Sequence, residues 1–502
     1  MGRLTWSTPA LSAATPTKLS AVRNPGRRLV HSRSVPDERF EEHLQHPAGR
    51  GHAPAGAHAG AAGGAVCGDL VKVVVAVRGA TVIDAGFDAS GCGAALAAGS
   101  AVVELVRGAS LLDAARVGAG AVSAALGGLS PGKLHAADLA ADALHRALGA
   151  AAAADAQLAP AAGRTLVAMS GGVDSAVAAV LAGAGGAEVV AVTLELWRDP
   201  ENDAESSCCS ASAVRAARAV AHRLGLPHLT LDLRDAFRAG VVEPWLAGHA
   251  QGLTPNPCVG CNGHVRLDAM VDLADRLGAA TLATGHYARR APDGLLRTAA
   301  DPAKDQTYML AALSRATLAR LRFPLGELTK PEVRALAREQ ELPVAAKPDS
   351  QDLCFLAGTG RERFLARHGG LHERPGDVVD RTGRVLGRHR GHFNFTVGQR
   401  RGLGVHAPEP LYVVRTDARS NTVTVGPRED LGVRRVALRG VRLHRDAASV
   451  DAVKLRYRAA PVPCRLQDGA VVLDAPFAAP APGQTAVFLA GDVIVGSATI
   501  TG

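Results

Sequence analysis

The chain has 502 residues, which is too long for one ordinary domain and enough for three or four. Its hydrophobic content of 47% and charged content of 21% are typical of soluble globular domains, and no apolar run is long enough to predict a membrane span. The net charge of +9 comes mainly from residues 1–36, so it is weak evidence by itself for a nucleic-acid partner.

Residues 1–36 are basic, rich in Ser and Thr, and free of acidic residues. This composition predicts either an organellar transit peptide or a disordered leader ahead of the true start, and we favour the leader. The eight cysteines of the chain are too few for a secreted disulfide scaffold. We therefore expect a protein of a reducing cytoplasm with reactive or metal-binding thiols, or an organellar one if the transit peptide is real.

Residues 37–150 are expected to form a small α+β domain, followed by a linker over residues 151–163. The linker begins in the alanine run 150–154, which could instead extend the preceding helix because alanine is the best helix former. Gly149 would weaken such an extension.

From Arg164 the apolar pattern alternates between strands and helices. Strands are predicted at residues 165–169, 187–193, 228–233 and 280–284, and helices at residues 175–182, 210–224 and 264–277. This alternation indicates an α/β domain with a doubly wound parallel sheet over residues 164–363. Ligands of such sheets bind beyond the carboxyl ends of the strands.

Residues 364–428 are rich in Gly and Arg, and we expect a small central domain there. From residue 429, short alternating segments at 433–438, 452–457 and 485–489 predict a C-terminal antiparallel β-barrel. Arginines cluster in both regions and could follow a phosphate backbone or form an ordinary solvated face: Arg384, Arg388, Arg390, Arg400, Arg401, Arg434, Arg435, Arg439, Arg442 and Arg445.

A phosphate-binding loop is predicted at residues 170–175, SGGVDS, between a strand and a helix. Glycines let backbone N–H groups approach phosphate oxygens, and the start of the helix adds a partial positive charge. The loop lacks the lysine of a Walker A motif, so it is not a standard P-loop. Asp174 beside phosphates suggests an intervening Mg²⁺ ion.

Cys258 and Cys261 lie in the proline-rich segment 254–262 before a predicted helix, and Cys354 follows much later in the chain. The positive end of the helix would favour the Cys261 thiolate. One thiolate can carry a persulfide sulfur, and a second can release that sulfur by forming a disulfide. Alternatively, Cys258 and Cys261 are half of a zinc or iron–sulfur site with Cys354 as a third ligand. The other cysteines of this part are interpreted as structural: Cys208, Cys209 and Cys464.

These motifs resemble those of the tRNA-specific 2-thiouridylases, which are N-type ATP pyrophosphatases, over residues 164–502. The matching segments occur in order: SGGVDS at 170–175, CCS at 208–210, TPNPCVGCN at 254–262, ATGHYAR at 283–289, KDQTYML at 304–310, FPLGELTKPEVR at 323–334, KPDSQDLCF at 347–355 and TVGQRRGLG at 396–404. The resemblance implies a tRNA-uridine 2-sulfurtransferase that uses ATP to thiolate the wobble uridine and yields 2-thiouridine, AMP and pyrophosphate.

By that resemblance, Cys261 would be the nucleophile and Cys354 would carry the persulfide, with a transient disulfide between them. With Mg²⁺, ATP would contact Ala168, Met169, Ser170, Gly171, Gly172, Val173, Asp174, Ser175, Leu194 and Gly285. The tRNA would contact Asn256, Pro257, Cys258, His286, Lys304, Asp305, Gln306, Arg456, Tyr457 and Gln484. The substrates would be tRNAs of the Lys, Glu and Gln type, and sulfur would come from a cysteine desulfurase or a sulfur relay protein.

Cys258 departs from the family pattern, because many members have Asp there as a candidate general acid/base that a thiol replaces only partly. The change leaves open a [4Fe–4S] cluster on Cys258, Cys261 and Cys354. In the persulfide route, which we favour, the C2 oxygen of a flipped uridine attacks the α-phosphate of ATP and releases pyrophosphate, and sulfur then displaces AMP.

Residues 37–150 resemble the U-type iron–sulfur scaffold proteins through CGD at 67–69, SGCG at 90–93 and KLH at 133–135. The resemblance implies that Zn²⁺ or an iron–sulfur cluster is held by Cys67, Asp69, Cys92 and His135. The third cysteine of the scaffolds would follow His135, where this chain has Ala136. We therefore interpret the domain as a docking module for a cysteine desulfurase, with a fusion relic as the alternative.

Two other functions fit parts of the sequence. An amidotransferase or ligase could share the phosphate loop, but it would have no task for Cys261 and Cys354, and no glutaminase-like domain is evident. A non-enzymatic iron–sulfur scaffold would account for the N-terminal domain, but the alanine at position 136 argues against it.

Overall fold

The computed structural model describes residues 38–63, 68–199, 211–349 and 353–501. The predictions for residues 1–36, Cys67, Cys208 and Cys209 lie outside the described residues. Among the helices of the described part, none combines the length and the apolar character that crossing a membrane requires.

The N-terminal domain packs helices against an antiparallel sheet in the order β1-β2-β3. Its elements are α1 (Glu38–Gln45), β1 (His58–Gly63), β2 (Leu70–Arg78), β3 (Thr81–Ser90), α2 (Gly93–Val106), α3 (Leu111–Ala114), α4 (Ala119–Ala125) and α5 (Leu134–Ala154). The valine-rich β2 is the middle strand and buries most of its side chains, as β-branched residues favour. Helices α2 and α5 pack on this sheet.

The linker predicted from residue 151 begins later than the sequence indicates, because α5 runs on to Ala154 and buries Ala151 and Ala152 completely. The longer helix that the alanine run allowed is therefore the correct alternative for residues 151–154. Gly149 does not end the helix, which continues for five more residues to Ala154. Glycine is needed at this position because a Cβ there would lie 1.9 Å from the carbonyl oxygen of Thr230.

The α/β domain follows. In chain order its elements are β4 (Ala161–Ala168), α6 (Val173–Gly183), β5 (Glu188–Glu195), α7 (Ala211–Arg223), β6 (His228–Asp232), α8 (Arg234–Phe237), α9 (Glu243–Ala250), α10 (Pro257–Cys261), α11 (Leu267–Arg276), β7 (Ala279–Thr284), β8 (Arg289–Arg290), β9 (Leu296–Arg297), α12 (Thr307–Leu310), α13 (Arg315–Arg320), β10 (Leu321–Arg322), α14 (Lys330–Glu339) and α15 (Arg361–Gly369). Five strands form a parallel sheet in the order β10-β7-β4-β5-β6, which confirms the predicted fold class.

The N-terminal domain covers the outer edge of this sheet. Helix α5 packs along the edge strand β6, and the N–H of His228 in β6 donates to the carbonyl oxygen of Ala115 at 2.9 Å. Buried apolar residues of the two domains form one continuous core. The two domains are therefore joined by shared packing, and α5 covers a sheet edge that would otherwise be exposed.

Two β domains complete the chain. The central one has β11 (Gly376–Val379), β12 (Val385–His389), β13 (Tyr412–Asp417) and β14 (Thr422–Gly426), in the order β12-β11-β14-β13, around a small core of its own. The last has β15 (Gly432–Leu443), β16 (Ala452–Lys454), β17 (Val462–Gln467), β18 (Ala470–Ala478), β19 (Thr485–Ala490) and β20 (Val493–Ile500). Pairing of β15 with β20 closes these six antiparallel strands, which confirms the predicted barrel.

Candidate functional site

The phosphate loop lies between the end of β4 and the start of α6. The N–H of Ser170 donates to the hydroxyl oxygen of Ser175 at 3.0 Å, and the two hydroxyl oxygens are 3.1 Å apart. Gly171 has a φ of +68°, and a Cβ there would lie 2.5 Å from the carbonyl oxygen of Ala213 in α7. Glycine is therefore required by packing as well as by backbone conformation.

The loop lies where the order of the sheet reverses, since β5 and β6 lie on one side of β4 and β7 and β10 on the other. Such a reversal opens a ligand crevice at the carboxyl ends of the strands. Gly285, directly after β7, forms the opposite wall, because a Cβ there would lie 2.8 Å from the backbone nitrogen of Ser175. The end of β7 thus lies against the start of α6 with no room for a side chain between them.

A cavity of about 1310 Å³ opens from this crevice. Its wall includes nine of the ten residues predicted to contact ATP, while the tenth, Gly171, packs against α7. The same wall contains five of the residues predicted to contact tRNA: His286, Lys304, Asp305, Gln306 and Tyr457. Typical small-molecule sites measure about 300–1,000 Å³, so this cavity has room for a nucleotide and a second ligand.

Asp174, which the sequence associates with Mg²⁺, is held by protein groups. The ammonium of Lys330 lies 2.6 and 2.8 Å from its two carboxylate oxygens, and the hydroxyl of Tyr287 donates to it at 3.0 Å. Burial, and then the charge of Asp174, raises the pKa of Tyr287, so its hydroxyl stays a donor. Lys330 therefore supplies a positive charge where the sequence suggests a metal ion.

More cations surround the loop and the nearby carboxylate of Asp349. Lys347 donates to the carbonyl oxygen of Gly171 at 3.0 Å, and Lys304 donates to Asp349 at 2.8 Å. The sequence analysis missed Lys330, Lys347 and Asp349 as site residues. The available signal was that each is a charged residue within a matched segment, but the segment alone does not show which side chain reaches the loop.

Cys258 and Cys261 lie in α10, whose first turn is capped by Asn256: its side-chain oxygen accepts the N–H of Cys258 at 3.0 Å. Cys261 is buried and Cys258 is half-buried. The predicted place of Cys261 at the helix start needs correction, because it is the last residue of α10 whereas Cys258 lies in the first turn. The helix dipole therefore acts more strongly on Cys258, since its effect falls off within one turn.

A π-helical segment at residues 262–266 joins α10 to α11. Such segments are frequent at functional sites. Within it, the side chain of Asn262 donates to the carbonyl oxygen of Met309 at 3.3 Å, and the guanidinium of Arg266 lies 3.4 Å from the side-chain oxygen of Asn262. Arg266 also lines the cavity, so this helix connects the cysteines to the phosphate-loop wall.

Cys354 is half-buried and precedes an aromatic cluster. The ring of Phe355 lies 5.3 Å from that of Trp245 and 5.1 Å from that of Phe364, measured between centroids. Cys261 and Cys354 belong to the same apolar core, in which Phe355 is anchored. The cluster thus fixes the chain immediately after Cys354.

Two residues predicted to contact tRNA use their polar atoms to hold the cavity wall. The carboxylate of Asp305 accepts from the hydroxyl of Thr307 at 2.8 Å, and the side-chain oxygen of Gln306 accepts the N–H of Tyr287 at 2.9 Å. Asp305 is buried as well. Their geometry favours a role in shaping the cavity.

Arg456 and Gln484 connect the barrel to its neighbours. Arg456 donates to the carbonyl oxygen of Val397 in the central domain at 3.3 Å, and Gln484 donates to that of Thr254, just before the cysteine helix. Of the predicted tRNA contacts, these two do not line the cavity, and neither do Asn256, Pro257 and Cys258.

His286 and Tyr457 present neutral polar groups to the cavity. Burial, and then the charge of Arg266, lowers the pKa of His286 to about 3, so its ring is uncharged at neutral pH. Burial raises the pKa of Tyr457, which keeps its hydroxyl protonated. Both can hydrogen-bond to a nucleobase, and Lys304 in the same wall can pair with a phosphate.

The N-terminal domain contains a separate group of ligand-type side chains. One carboxylate oxygen of Asp69 lies 3.2 Å from the sulfur of Cys92 and 3.0 Å from Nε2 of His135. Ligand atoms of these three residues all lie within 4.8 Å of one another, so they could hold a metal ion together. Gly91 is required beside them, because a Cβ there would lie 2.0 Å from the Asp69 carboxylate.

Ala136, in place of the expected third cysteine, is fully buried. It belongs to the core beneath α5. Three of the four predicted ligands are thus brought together by the structure, and the fourth, Cys67, lies outside the described residues.

Comparison with known proteins covers nearly the whole chain. Family models match in four places: the NifU-like N terminal domain at residues 37–155, the tRNA methyl transferase HUP domain at 163–358, the tRNA methyl transferase PRC-barrel domain at 362–427 and the aminomethyltransferase beta-barrel domain at 442–500. The bifunctional protein NifU/MnmA of Rubrobacter xylanophilus is 45% identical over 470 residues, which cover 90% of this chain and 96% of the relative. The tRNA-specific 2-thiouridylase MnmA of Rhizorhabdus wittichii is 46% identical over 347 residues, which cover 68% of this chain and 92% of the relative.

Proposed function

Because the chain belongs to the tRNA-specific 2-thiouridylase family and carries a NifU-like domain ahead of the enzyme, we propose that it uses ATP to transfer sulfur to C2 of the wobble uridine of tRNA. Membership of this family makes the chain a tRNA sulfurtransferase. The observation that carries the proposal is that one cavity is lined both by the phosphate loop and by His286, Lys304 and Tyr457. A nucleotide and a flipped base would fit this space side by side.

In the first step, the C2 oxygen of the uridine attacks the α-phosphorus of ATP, and the bond to the bridging oxygen breaks to release pyrophosphate. The backbone N–H groups of the loop, with Lys304 and Lys347, would stabilise the negative charge that moves onto the leaving group. Mg²⁺ would add to this charge stabilisation. The neutral ring of His286 suits a hydrogen bond to the uracil edge.

In the second step, the terminal sulfur of a Cys354 persulfide attacks the adenylated C2, and AMP leaves with the former C2 oxygen. The Cys261 thiolate then attacks the Cys354 sulfur and forms a disulfide, which frees the transferred sulfur as 2-thiouridine. A low-molecular-weight thiol or a dithiol protein would reduce the disulfide before the next turnover. The anchored chain beside Cys354 and the place of Cys261 in the same apolar core support this division of roles.

A second route would use a [4Fe–4S] cluster on Cys258, Cys261 and Cys354. The observation that favours it is the i, i+3 spacing of Cys258 and Cys261 in α10, which places the two sulfurs on one helix face. Anaerobically purified protein would then absorb in the visible range, and Cys258→Ser would abolish this absorbance. Full activity of iron-free protein with a persulfide donor would exclude the cluster route.

The N-terminal domain would dock the cysteine desulfurase that supplies the sulfur. Asp69, Cys92 and His135 would hold a Zn²⁺ ion there, with Cys67 as the fourth ligand. Metal analysis of the purified protein checks this, with Cys92→Ser and His135→Ala expected to remove the metal. Equal zinc content in these variants and in the unaltered protein would contradict the assignment.

The main proposal is tested with an unmodified tRNA transcript of the Lys, Glu or Gln type, ATP and a persulfide donor, with mass spectrometry of the nucleosides. We expect 2-thiouridine from the unaltered protein and none from Cys261→Ser or Cys354→Ser. Cys464→Ala, which alters a buried barrel cysteine, is the matched control and should retain activity. Thiolation at the normal rate by the Cys354 variant would refute the persulfide assignment.

A further inference from the structure

The end of strand β5 has the cavity on one face and the N-terminal domain on the other. Val192, Leu194 and Leu196 follow one another at every second position, and all three line the cavity. Side chains of a strand alternate between its two faces, so Glu195 points the opposite way. There its carboxylate meets the guanidinium of Arg146 in α5, a helix of the N-terminal domain. One wall of the proposed nucleotide site is therefore backed by a side chain from outside the α/β domain.

The contact between Glu195 and Arg146 is buried. Only 8% of Glu195 is exposed, and a carboxylate in that setting needs an opposite charge. Burial raises the pKa of Glu195, and the charge of Arg146 is the largest effect that opposes the rise. A second cation, Arg234, is already paired with Asp232. The pairing of β5 with β6 ends at Glu195 and does not extend to Leu196, so Arg146 holds the chain where it leaves the sheet.

A second ion pair repeats this pattern beside the phosphate loop. Arg218 in α7 is buried, and its carboxylate partner is Asp142 of α5. In the same helix α7, the carbonyl oxygen of Ala213 lies against Gly171 of the loop. Asp142 also lies 3.2 Å from Arg146, so the two connections form one network. Helix α5 thus supplies the opposite charges for two groups that the α/β domain buries near the nucleotide site.

We propose that Arg146 is a positioning residue for the ATP site through its contact with Glu195, an inference that rests on the proposed function. Held by Arg146, Glu195 keeps Leu194 and Leu196 in the wall against which the nucleotide packs. Without Arg146 the carboxylate would be buried and unpaired, and it would turn towards water and draw the strand end with it. The N-terminal domain is then part of the framework of the nucleotide site, in addition to its role in docking a desulfurase.

Calorimetric titration of the full-length protein with a non-hydrolysable ATP analogue and Mg²⁺ tests this role. Arg146→Met should raise the Kd about tenfold, since residues coupled in one ion-pair network interact on that scale. The titrations are run well below the unfolding temperature of each variant, where a protein that is merely less stable binds with an unchanged Kd. Arg146→Lys keeps the positive charge and should restore most of the affinity.

Glu195→Ala provides an independent variant, which decides the matter if Arg146→Met fails to fold. It removes the buried carboxylate and leaves Arg146 paired with Asp142, so no charge is left unpaired, and it should raise the Kd by a similar factor. Because both changes break the same contact, the double variant should bind no more weakly than the weaker of the two single variants.

Arg116→Met is the matched control. Arg116 is also an arginine of the N-terminal domain that reaches across the junction, where it donates to the carbonyl oxygen of Gly225 at 3.4 Å, and its loss should leave the Kd unchanged. An unchanged Kd in Arg146→Met or in Glu195→Ala would overturn the proposal, as would fully additive losses in the double variant. The expected Kd values in a protein that makes no 2-thiouridine would instead refute only the proposed function.

Discussion

The guanidinium of Arg218 in α7 and the carboxylate of Asp142 in α5 form an ion pair across the junction of the N-terminal and α/β domains. The two side chains are only 5% and 7% exposed. Arg146 extends the pair, since it contacts both Asp142 and Glu195 at the end of β5. The charges at this junction are thus matched within the protein, and separating the domains would leave them unpaired.

Asp142→Ala is expected to destabilise the α/β domain, although the residue belongs to the N-terminal domain. Removing one partner leaves the charge of Arg218 buried, which costs about 3–5 kcal/mol. Urea unfolding followed by the fluorescence of Trp197 and Trp245, both in the α/β domain, measures this. Asp113→Ala removes an exposed pair with Arg116 and should cost less than about 1 kcal/mol. An unchanged tryptophan transition in the Asp142 variant would mean that the domains unfold independently.

Gly149→Ala should strongly destabilise the junction, because the new Cβ would lie 1.9 Å from the carbonyl oxygen of Thr230. Backbone cannot move aside as a side chain can, so we expect a loss of at least about 1–3 kcal/mol. Gly120→Ala is the matched control, since Gly120 lies in α4 with open space around it and should gain up to about 1 kcal/mol. Thermal unfolding of both variants checks the prediction, and a neutral Gly149 variant would contradict the close approach of α5 to β6.

The stability of the protein should fall as the pH drops below about 6.5, the ordinary histidine value. Burial, with smaller contributions from nearby charges, lowers the pKa of three histidines at the domain junction: His145, His222 and His228. Below that pH the unfolded chain binds more protons than the folded chain does. Each histidine therefore lowers the free energy of unfolding by up to about 1.4 kcal/mol per pH unit on acidification.

Urea unfolding between pH 7.5 and pH 5.5 measures this dependence. His222→Asn should reduce the slope of the unfolding free energy against pH by at most about 1.4 kcal/mol per pH unit, which corresponds to one proton. His406→Asn, which alters an exposed histidine of the central domain, should leave the slope unchanged. A pH-independent stability over this range would show that the three junction histidines titrate normally in the folded protein.

Gly285→Ala should weaken ATP binding and also lower the stability of the α/β domain, because the backbone at the start of α6 must shift to admit the added methyl group. The added methyl group would lie 2.8 Å from the backbone nitrogen of Ser175, so it pushes the start of α6 away from the loop geometry that binds phosphate. A loss of about tenfold in affinity, or about 1.4 kcal/mol, is expected by calorimetric titration. Gly163→Ala, with nothing near the added atom, should bind ATP normally. Unchanged affinity in the Gly285 variant would place the nucleotide elsewhere.

The sheet, the barrel and the phosphate loop could be predicted because each has a local signal: alternation of apolar residues, short β-rich segments, or SGGVDS between a strand and a helix. Nine of the ten predicted ATP contacts line one cavity for the same reason, since eight of the ten are consecutive in the chain. Gly285, which follows β7 in the cavity wall, could be predicted only through the family resemblance.

Contacts between distant segments could not be predicted in this way. Lys330 reaches Asp174 only because α14 packs beside α6, and no periodicity reports that pairing. Gly149 was interpreted through its helix propensity, whereas the backbone of Thr230 decides its role. The placement of Cys261 was wrong for a related reason, since the helix begins at the proline before Cys258.

Helix α5 has a further consequence for how the protein is made. It packs on its own sheet with one side and on β6 with the other, yet the ribosome releases it well before β6 is synthesised. Until then, its second apolar side must remain open to solvent or to a chaperone. The N-terminal domain can therefore bury both sides of α5 only after translation has passed β6 in the α/β domain.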